Sequence, residues 1–190
     1  MRCNTEIDCA VSIETMTRKT NEEFHEDLNR GLEFEQGHAL RALHKMFPEH
    51  YIINNKVDPT QSTDDKVVGP RLYKGTNRET EIIAPDFLLF NDAGNAFWID
   101  AKLKGATYIY NGRRYFSLDR KKHEAYCKFP QFMLDNFFLL FKHEKTKEIY
   151  LADFRTEPDT IYFNNRFDTG HVPVYYVDTI QKIYGVHDDK

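Results

Sequence analysis

The stretch 84–102 constrains the fold of this chain more than any other. Ala84-Pro85-Asp86 leads into the apolar run Phe87-Leu88-Leu89-Phe90. The turn-forming residues Asn91-Asp92-Ala93-Gly94-Asn95 follow, and then Ala96-Phe97-Trp98-Ile99-Asp100-Ala101-Lys102. Two short apolar runs around such a turn predict an antiparallel hairpin. Strand side chains alternate between faces. Asp100 and Lys102 therefore leave one face of the second strand, and Phe97, Ile99 and Ala101 leave the other, into apolar company.

That alternation places a carboxylate and an ammonium together, beside a second carboxylate, Asp86, on the neighbouring strand. Magnesium takes oxygen ligands, commonly one or two carboxylates with waters and phosphate oxygens. Asp86 and Asp100 on adjacent strands can approach one ion, and the Ala101 carbonyl lies at the same level as a further candidate ligand. Lys102 stands next to that position, suited to stabilising charge on phosphorus or orienting a water. These are the needs of phosphodiester hydrolysis. The plain alternative is a solvated strand face on which Asp100 and Lys102 form a surface ion pair.

A helix is predicted over 21–47, with Phe24, Leu28, Leu32, Ala39, Ala42, Leu43 and Met46 at three-to-four spacing. Thr20 or Asn21 can cap its start and Pro48 stops it. Gly31 and Gly37 weaken it. Glu35 falls inside the apolar stripe, where a carboxylate without a partner is costly. It is the third candidate to face the ion of Asp86 and Asp100. Glu33 points elsewhere, towards solvent. The competing reading pairs Glu35 with His38 or Arg41 on the helix surface.

A short strand is expected at 51–57 and a long loop over 58–80, with a strand near 67–73. Further strands are expected at 81–90 and 96–102. Asn111-Gly112 between strand-like residues is a strong hairpin signal for 108–116. A second helix should start near Ser117 or Asp119 and run to about Lys128, with Pro130 interrupting. Strands follow at 136–142 and 148–154, joined by a charged turn, and another at 172–177, before a short helical segment from Thr179. The order gives an α/β or α+β class with a mixed central sheet. Residues 1–20 read as a weakly structured tail, and 21–190 as one domain.

Of 190 residues, 41% are hydrophobic and 14% aromatic, enough for a single core. No run is long enough for a transmembrane helix, and the N-terminus lacks the apolar core of a secretory signal. A soluble, cytoplasmic protein is the expectation. Cys3, Cys9 and Cys127 lack metal-ligand spacing and read as free thiols, which argues against a zinc site. The net charge of −4 is not the footprint of a protein that coats DNA, though it leaves room for a nucleic-acid enzyme with local phosphate contacts. Lys104, Arg113, Arg114, Arg120, Lys121 and Lys122 follow the hairpin, interleaved with Tyr108, Tyr110, Tyr115, Phe116 and Tyr126. Cations beside aromatic rings suit a phosphate backbone and unstacked bases, and the second helix begins among them. A solvated reading competes for each cation, most of all for Lys121 and Lys122. His44, His123 and His143 read as structural or exposed. Tyr126 and the run Phe137-Phe138-Leu139-Leu140-Phe141 read as core.

Pro85-Asp86 followed by Asp100-Ala101-Lys102, with Gly31-Leu32-Glu33-Phe34-Glu35 on a preceding helix, resembles the PD-(D/E)xK nuclease superfamily. The resemblance spans the first helix to the strand ending near Phe154. It implies a restriction-endonuclease-like α-β-β-β-α-β core with a mixed central sheet flanked by helices. It further implies Mg2+ or Mn2+ held by Asp86, Asp100 and Glu35, and a catalytic Lys102. The long connection before Asp86 and the Asn111-Gly112 hairpin are insertions relative to a minimal core. The expected activity is hydrolysis of phosphodiester bonds, with DNA as the expected partner, no membrane, and a homodimer left open. The alternative is a catalytically inactive nuclease-fold module that binds nucleic acid or a protein.

Overall fold

The computed structural model describes residues 20–55, 58–63, 66–74, 77–105, 107–156, 159–163 and 170–184. Most of the tail expected at 1–20, with Cys3 and Cys9, lies outside them. Thr20 opens the first helix with a capping box. Its hydroxyl accepts from Glu23 N–H, and the Glu23 carboxylate accepts from Thr20 N–H.

Helix α1 (Asn21–Glu33) passes without a break into a π-helical segment (Phe34–Ala39) and then α2 (Leu40–Met46). The predicted run therefore holds, but with one irregular turn. A π turn adds a residue and so shifts the phase of everything after it. Phe34 and Ala39 become buried together with Ala42 and Leu43, while Leu32, expected in the stripe, is only half-buried.

The strands are β1 (Tyr51–Asn54), β2 (Asp58–Thr63), β3 (Lys66–Val68), β4 (Arg71–Lys74), β5 (Asn77–Ile83), β6 (Phe87–Phe90), β7 (Ala96–Lys104), β8 (Tyr108–Tyr110) and β9 (Arg113–Ser117). Helices α3 (Arg120–Tyr126) and α4 (Gln131–Leu134) follow. Then come β10 (Phe137–His143), β11 (Ile149–Asp153), β12 (Asp159–Phe163), β13 (Gly170–Tyr176), a 3-10 turn (Val177–Thr179) and β14 (Gln181–Tyr184).

Six strands form the central sheet in the order β1-β6-β7-β10-β11-β14. Only β7 and β10 run parallel; the other neighbours are antiparallel. A parallel pair needs a long crossover, which β8, β9, α3 and α4 supply. The class is α/β with a mixed central sheet and helices. Strands β12-β13-β9-β8 form a second, antiparallel sheet, and β2–β3 and β4–β5 are separate hairpins. Among the described residues, no helix is long and apolar enough to cross a membrane.

The central sheet separates two cores. One contains Phe34, Ala42 and Leu43 of the helical run with Phe87, Leu89, Ile99, Ala101 and Leu140. The other contains Phe116, Leu118, Tyr126, Met133, Phe137, Leu139 and Phe141, with Trp98 at its margin. Phe116 of the second sheet stacks on Phe141 at 4.9 Å between ring centroids, which ties the two sheets together. In the β8–β9 turn Asn111 and Gly112 have φ of 49° and 74°, the positive pair that a tight hairpin turn requires.

Four sequence expectations change, the last in the chain being the helical segment expected from Thr179, where the 3-10 turn ends and strand β14 follows. The region read as a long loop over 58–80 holds two hairpins, β2–β3 and β4–β5. The strand expected over 81–90 breaks at residues 84–86, where Pro85 has no N–H to give to a ladder. The strand expected over 51–57 ends at Asn54, and residues 56 and 57 lie outside the described set. The second helix stops at Tyr126, close to the expected Lys128, and Asp119 caps it by accepting from Lys122 N–H at 3.2 Å.

Candidate active site at the β6–β7 hairpin

The β6–β7 ladder registers Phe87 against Ile99, so one step further Asp86 lies across from Asp100. The ladder does not continue there. Ala101 N–H donates to Asp86 Oδ2 at 2.6 Å, and the Pro85 carbonyl accepts from the Asn55 side-chain amide at 2.8 Å. Asn55 N–H donates to the Asp86 carbonyl at 2.7 Å. These bonds fix the Asp86 backbone and one of its carboxylate oxygens at the point where the strands part.

Alternation along β7 holds as expected. Phe97, Ile99, Ala101 and Leu103 belong to the core beneath the helical run, and Trp98 borders the opposite core. Asp100 and Lys102 share the face of Trp98. The Lys102 ammonium touches Asp100 Oδ2, lies 3.9 Å from Asp86 Oδ2, and donates to the Ala101 carbonyl at 3.1 Å. The side chains of Asp86, Asp100 and Lys102 are 13%, 7% and 12% exposed. This is an enclosed ion cluster, not the solvated surface pair of the plain alternative. Asp100 Oδ2 is sealed from solvent, and among the described residues it receives no well-angled hydrogen bond and has the touching Lys102 ammonium as its one counterpart.

Glu35 reaches the same neighbourhood from the π segment. It is half-buried, and burial, followed by the negative charge of Asp86, pushes its carboxyl up to about 8; Lys102 and Lys122 pull the other way. On the exposed side of the same segment, His38 Nδ1 faces the Arg41 guanidinium at 3.5 Å. Glu35 stands within charge interaction of the cluster without joining it. Among the described residues, no three carboxylate, imidazole or thiolate groups close on a common point. Lys102 is lowered to about 7, first by burial and then by Lys122, against the pull of Asp86 and Glu35.

The expected basic cluster is divided. Lys104, half-buried at the end of β7, is lowered to about 8 by burial and by Lys122. Arg113 lies over the Tyr176 ring at 5.1 Å on the second sheet, with Arg114 exposed beside it. Arg120 pairs with Glu124 on the solvated face of α3 at 2.8 Å, and Lys121 is exposed. Lys122, read in the sequence as helix surface, is exposed on α3 as expected, and its charge acts from there on Glu35, Lys102 and Lys104. Tyr126, one turn on, is core, as expected, yet its phenol feels Asp86 and Glu35; burial first and those charges next raise it.

Lys142 was not singled out from sequence. It is 5% exposed, and its ammonium lies 5.4 Å from the Phe34 ring centroid. Nothing in the run Phe137–Phe141 that precedes it marks it as buried. Of the three histidines weighed in the sequence, His44 is exposed, His123 contacts Cys127 and Phe154, and His143 contacts Thr146. Cys127 is an exposed free thiol.

Comparison with known proteins returns no match: no family model fits the chain, and no curated protein or solved structure matches it.

Proposed function

We propose that the chain is a divalent-metal-dependent nuclease of the PD-(D/E)xK type, acting on DNA. One observation carries this reading. The carboxylates of Asp86 and Asp100 and the Lys102 ammonium are enclosed together at the β6–β7 hairpin, and among the described residues that ammonium is the one positive charge touching Asp100 Oδ2. Carboxylate oxygens are hard donors of the kind that Mg2+ or Mn2+ takes. The order of elements supports the same reading: a helical run, the antiparallel set β1-β6-β7, helices, then β10 parallel to β7. That order is compatible with the restriction-endonuclease-like core that the sequence resemblance implies.

Asp86 and Asp100 would hold the ion, with the Ala101 carbonyl and Glu35 as further oxygen donors. The bound cation supplies a lowered pKa for water and neutralises phosphate charge. The protein's own residues supply the rest. The Ala101 N–H bond keeps Asp86 oriented. Lys102 donates to a phosphate oxygen as negative charge builds and orients the water that attacks. Enclosure by the cores on either side of the sheet strengthens each of these interactions. The Lys102 ammonium, held on both carboxylates, offsets one of their two negative charges and leaves the cluster short of a cation.

The test is incubation with circular and linear DNA, single- and double-stranded, under Mg2+ and Mn2+. Cleavage is expected, and Asp100→Asn should lower its rate by about 10²–10³-fold with the fold intact. Wild-type rates in both Asp100→Asn and Lys102→Ala would end the reading.

A further inference from the structure

The face of the sheet that carries Asp100 and Lys102 continues, on the side away from the lysines, as an apolar shelf. Trp98 lies two residues before Asp100 on the same face, about 6.7 Å along the strand. Trp98 pairs with Leu88, and Leu88 with Ile53, so the three make a row across β7, β6 and β1. Tyr51 and Phe90 make the next row, their rings stacked at 5.2 Å. Tyr51 and Ile53 are 56% and 46% exposed, on an edge strand. Trp98, Leu88 and Phe90 are half-buried. Two exposed and three half-buried apolar groups in adjoining rows beside an ion cluster suit a binding surface.

We propose that this shelf binds the bases of an unpaired nucleic-acid strand whose phosphate reaches Asp86, Asp100 and Lys102. Along one face of β7 the chemistry changes from aromatic (Trp98) to acidic (Asp100) to basic (Lys102, Lys104). A nucleotide has the matching polarity, with a flat apolar base on one side and an anionic phosphate on the other. A duplex turns its bases inward and offers phosphates outward, and none of the five shelf side chains carries a charge to meet them. Stacking on aromatic rings tolerates any sequence and gains roughly five- to hundredfold in affinity per base. The identity of the phosphate site rests on the nuclease reading, but the shelf can be tested apart from it.

Trp98 is the only tryptophan in the chain, so its emission reports on the shelf directly. The full chain is titrated, in Ca2+ and separately in Mg2+, with a short single-stranded oligonucleotide, its duplex, and an abasic strand of equal length. The single strand should quench Trp98, and the duplex and the abasic strand should not. Tyr51→Ala should weaken single-strand binding roughly tenfold and leave the circular dichroism spectrum unchanged. Equal quenching by duplex or abasic strand, or no quenching at all, overturns the proposal. A dimer that Ile53→Asp dissociates also overturns it, by making the shelf a contact between copies. Duplex cleavage without Trp98 quenching sinks the shelf and leaves the nuclease reading standing. Single-strand quenching without cleavage does the reverse.

Discussion

The two faces of β7 are made by neighbouring residues of one strand and do opposite work. Phe97, Ile99, Ala101 and Leu103 enter an apolar core with Phe34 and Leu43. Asp100 and Lys102 on the other face are nearly as well enclosed, yet they are charged. Burying an ion pair rarely adds stability over an apolar pair of the same size. The comparison sets a face that supplies stability against one whose burial is costly, a cost that the proposed chemistry would explain. Substitutions on each face should therefore separate folding from function.

The largest expected effect is on function. Asp100→Asn should remove most cleavage while shifting the urea midpoint little. Lys102→Ala should also remove cleavage, but in the absence of metal it leaves Asp100 buried and unpaired, a loss of about 3–5 kcal/mol. Mg2+ should restore part of that stability. If the unfolding midpoint of Lys102→Ala equals wild type without metal, the cluster is not enclosed as described.

On the core face, Ile99 is fully buried. Ile99→Ala should cost about 2–5 kcal/mol in urea unfolding, with cleavage per folded molecule preserved. Loss of cleavage in the folded fraction would mean that the faces are not separable.

The pH dependence of metal-free stability sharpens the comparison. Glu35, held near 8, keeps its proton in the folded state, while the unfolded chain releases it near about 4.3. Stability from this group is present at low pH and lost as pH rises towards 8. Lys102, lowered to about 7, works in the opposite sense: its contribution is present above about 10.4 and lost as pH falls through 7. The sum is a stability minimum near pH 7–8. Glu35→Gln should remove the falling limb between about pH 4.5 and 8 and leave the rise at higher pH. Thermal unfolding across pH reads both limbs, and an unchanged falling limb in Glu35→Gln would remove Glu35 from the enclosed group.

The smallest effect is expected on α3. Arg120 and Glu124 form an exposed i,i+4 pair, so Arg120→Ala should change stability by no more than about 0.5 kcal/mol. Cleavage should stay near wild type. A strong loss of DNA cleavage would return Arg120 to the substrate path.

Elements whose signal is local were legible in the sequence. The β6–β7 hairpin, the Asn111-Gly112 turn, the apolar run of β10 and the capped start of α1 all announce themselves within a few residues. Alternation alone placed Asp100 and Lys102 on one face. What escaped depends on distant partners. Strand β2, Asp58–Thr63, is polar and contains Pro59, so it has no period to read; it is a strand because β3 pairs with it. Strand β12 was likewise not expected, and exists through its ladder with β13. The π turn moved Phe34 inward, which no stripe drawn at 3.6 residues per turn could anticipate. Lys122 is helix surface, as its own helix suggests; what that helix does not show is that its charge is felt by Lys102 and Lys104 on β7. The burial of Lys142 against Phe34 is set by the same long-range packing.

The account turns on whether Asp86 and Asp100 share one cation, and calorimetric titration with Mn2+ addresses this most directly. It predicts a single site in the wild-type chain, lost in Asp86→Ala and in Asp100→Asn and kept in Arg120→Ala. Mn2+ binding that survives both aspartate substitutions, or no Mn2+ binding by the wild type even with DNA present, would contradict it.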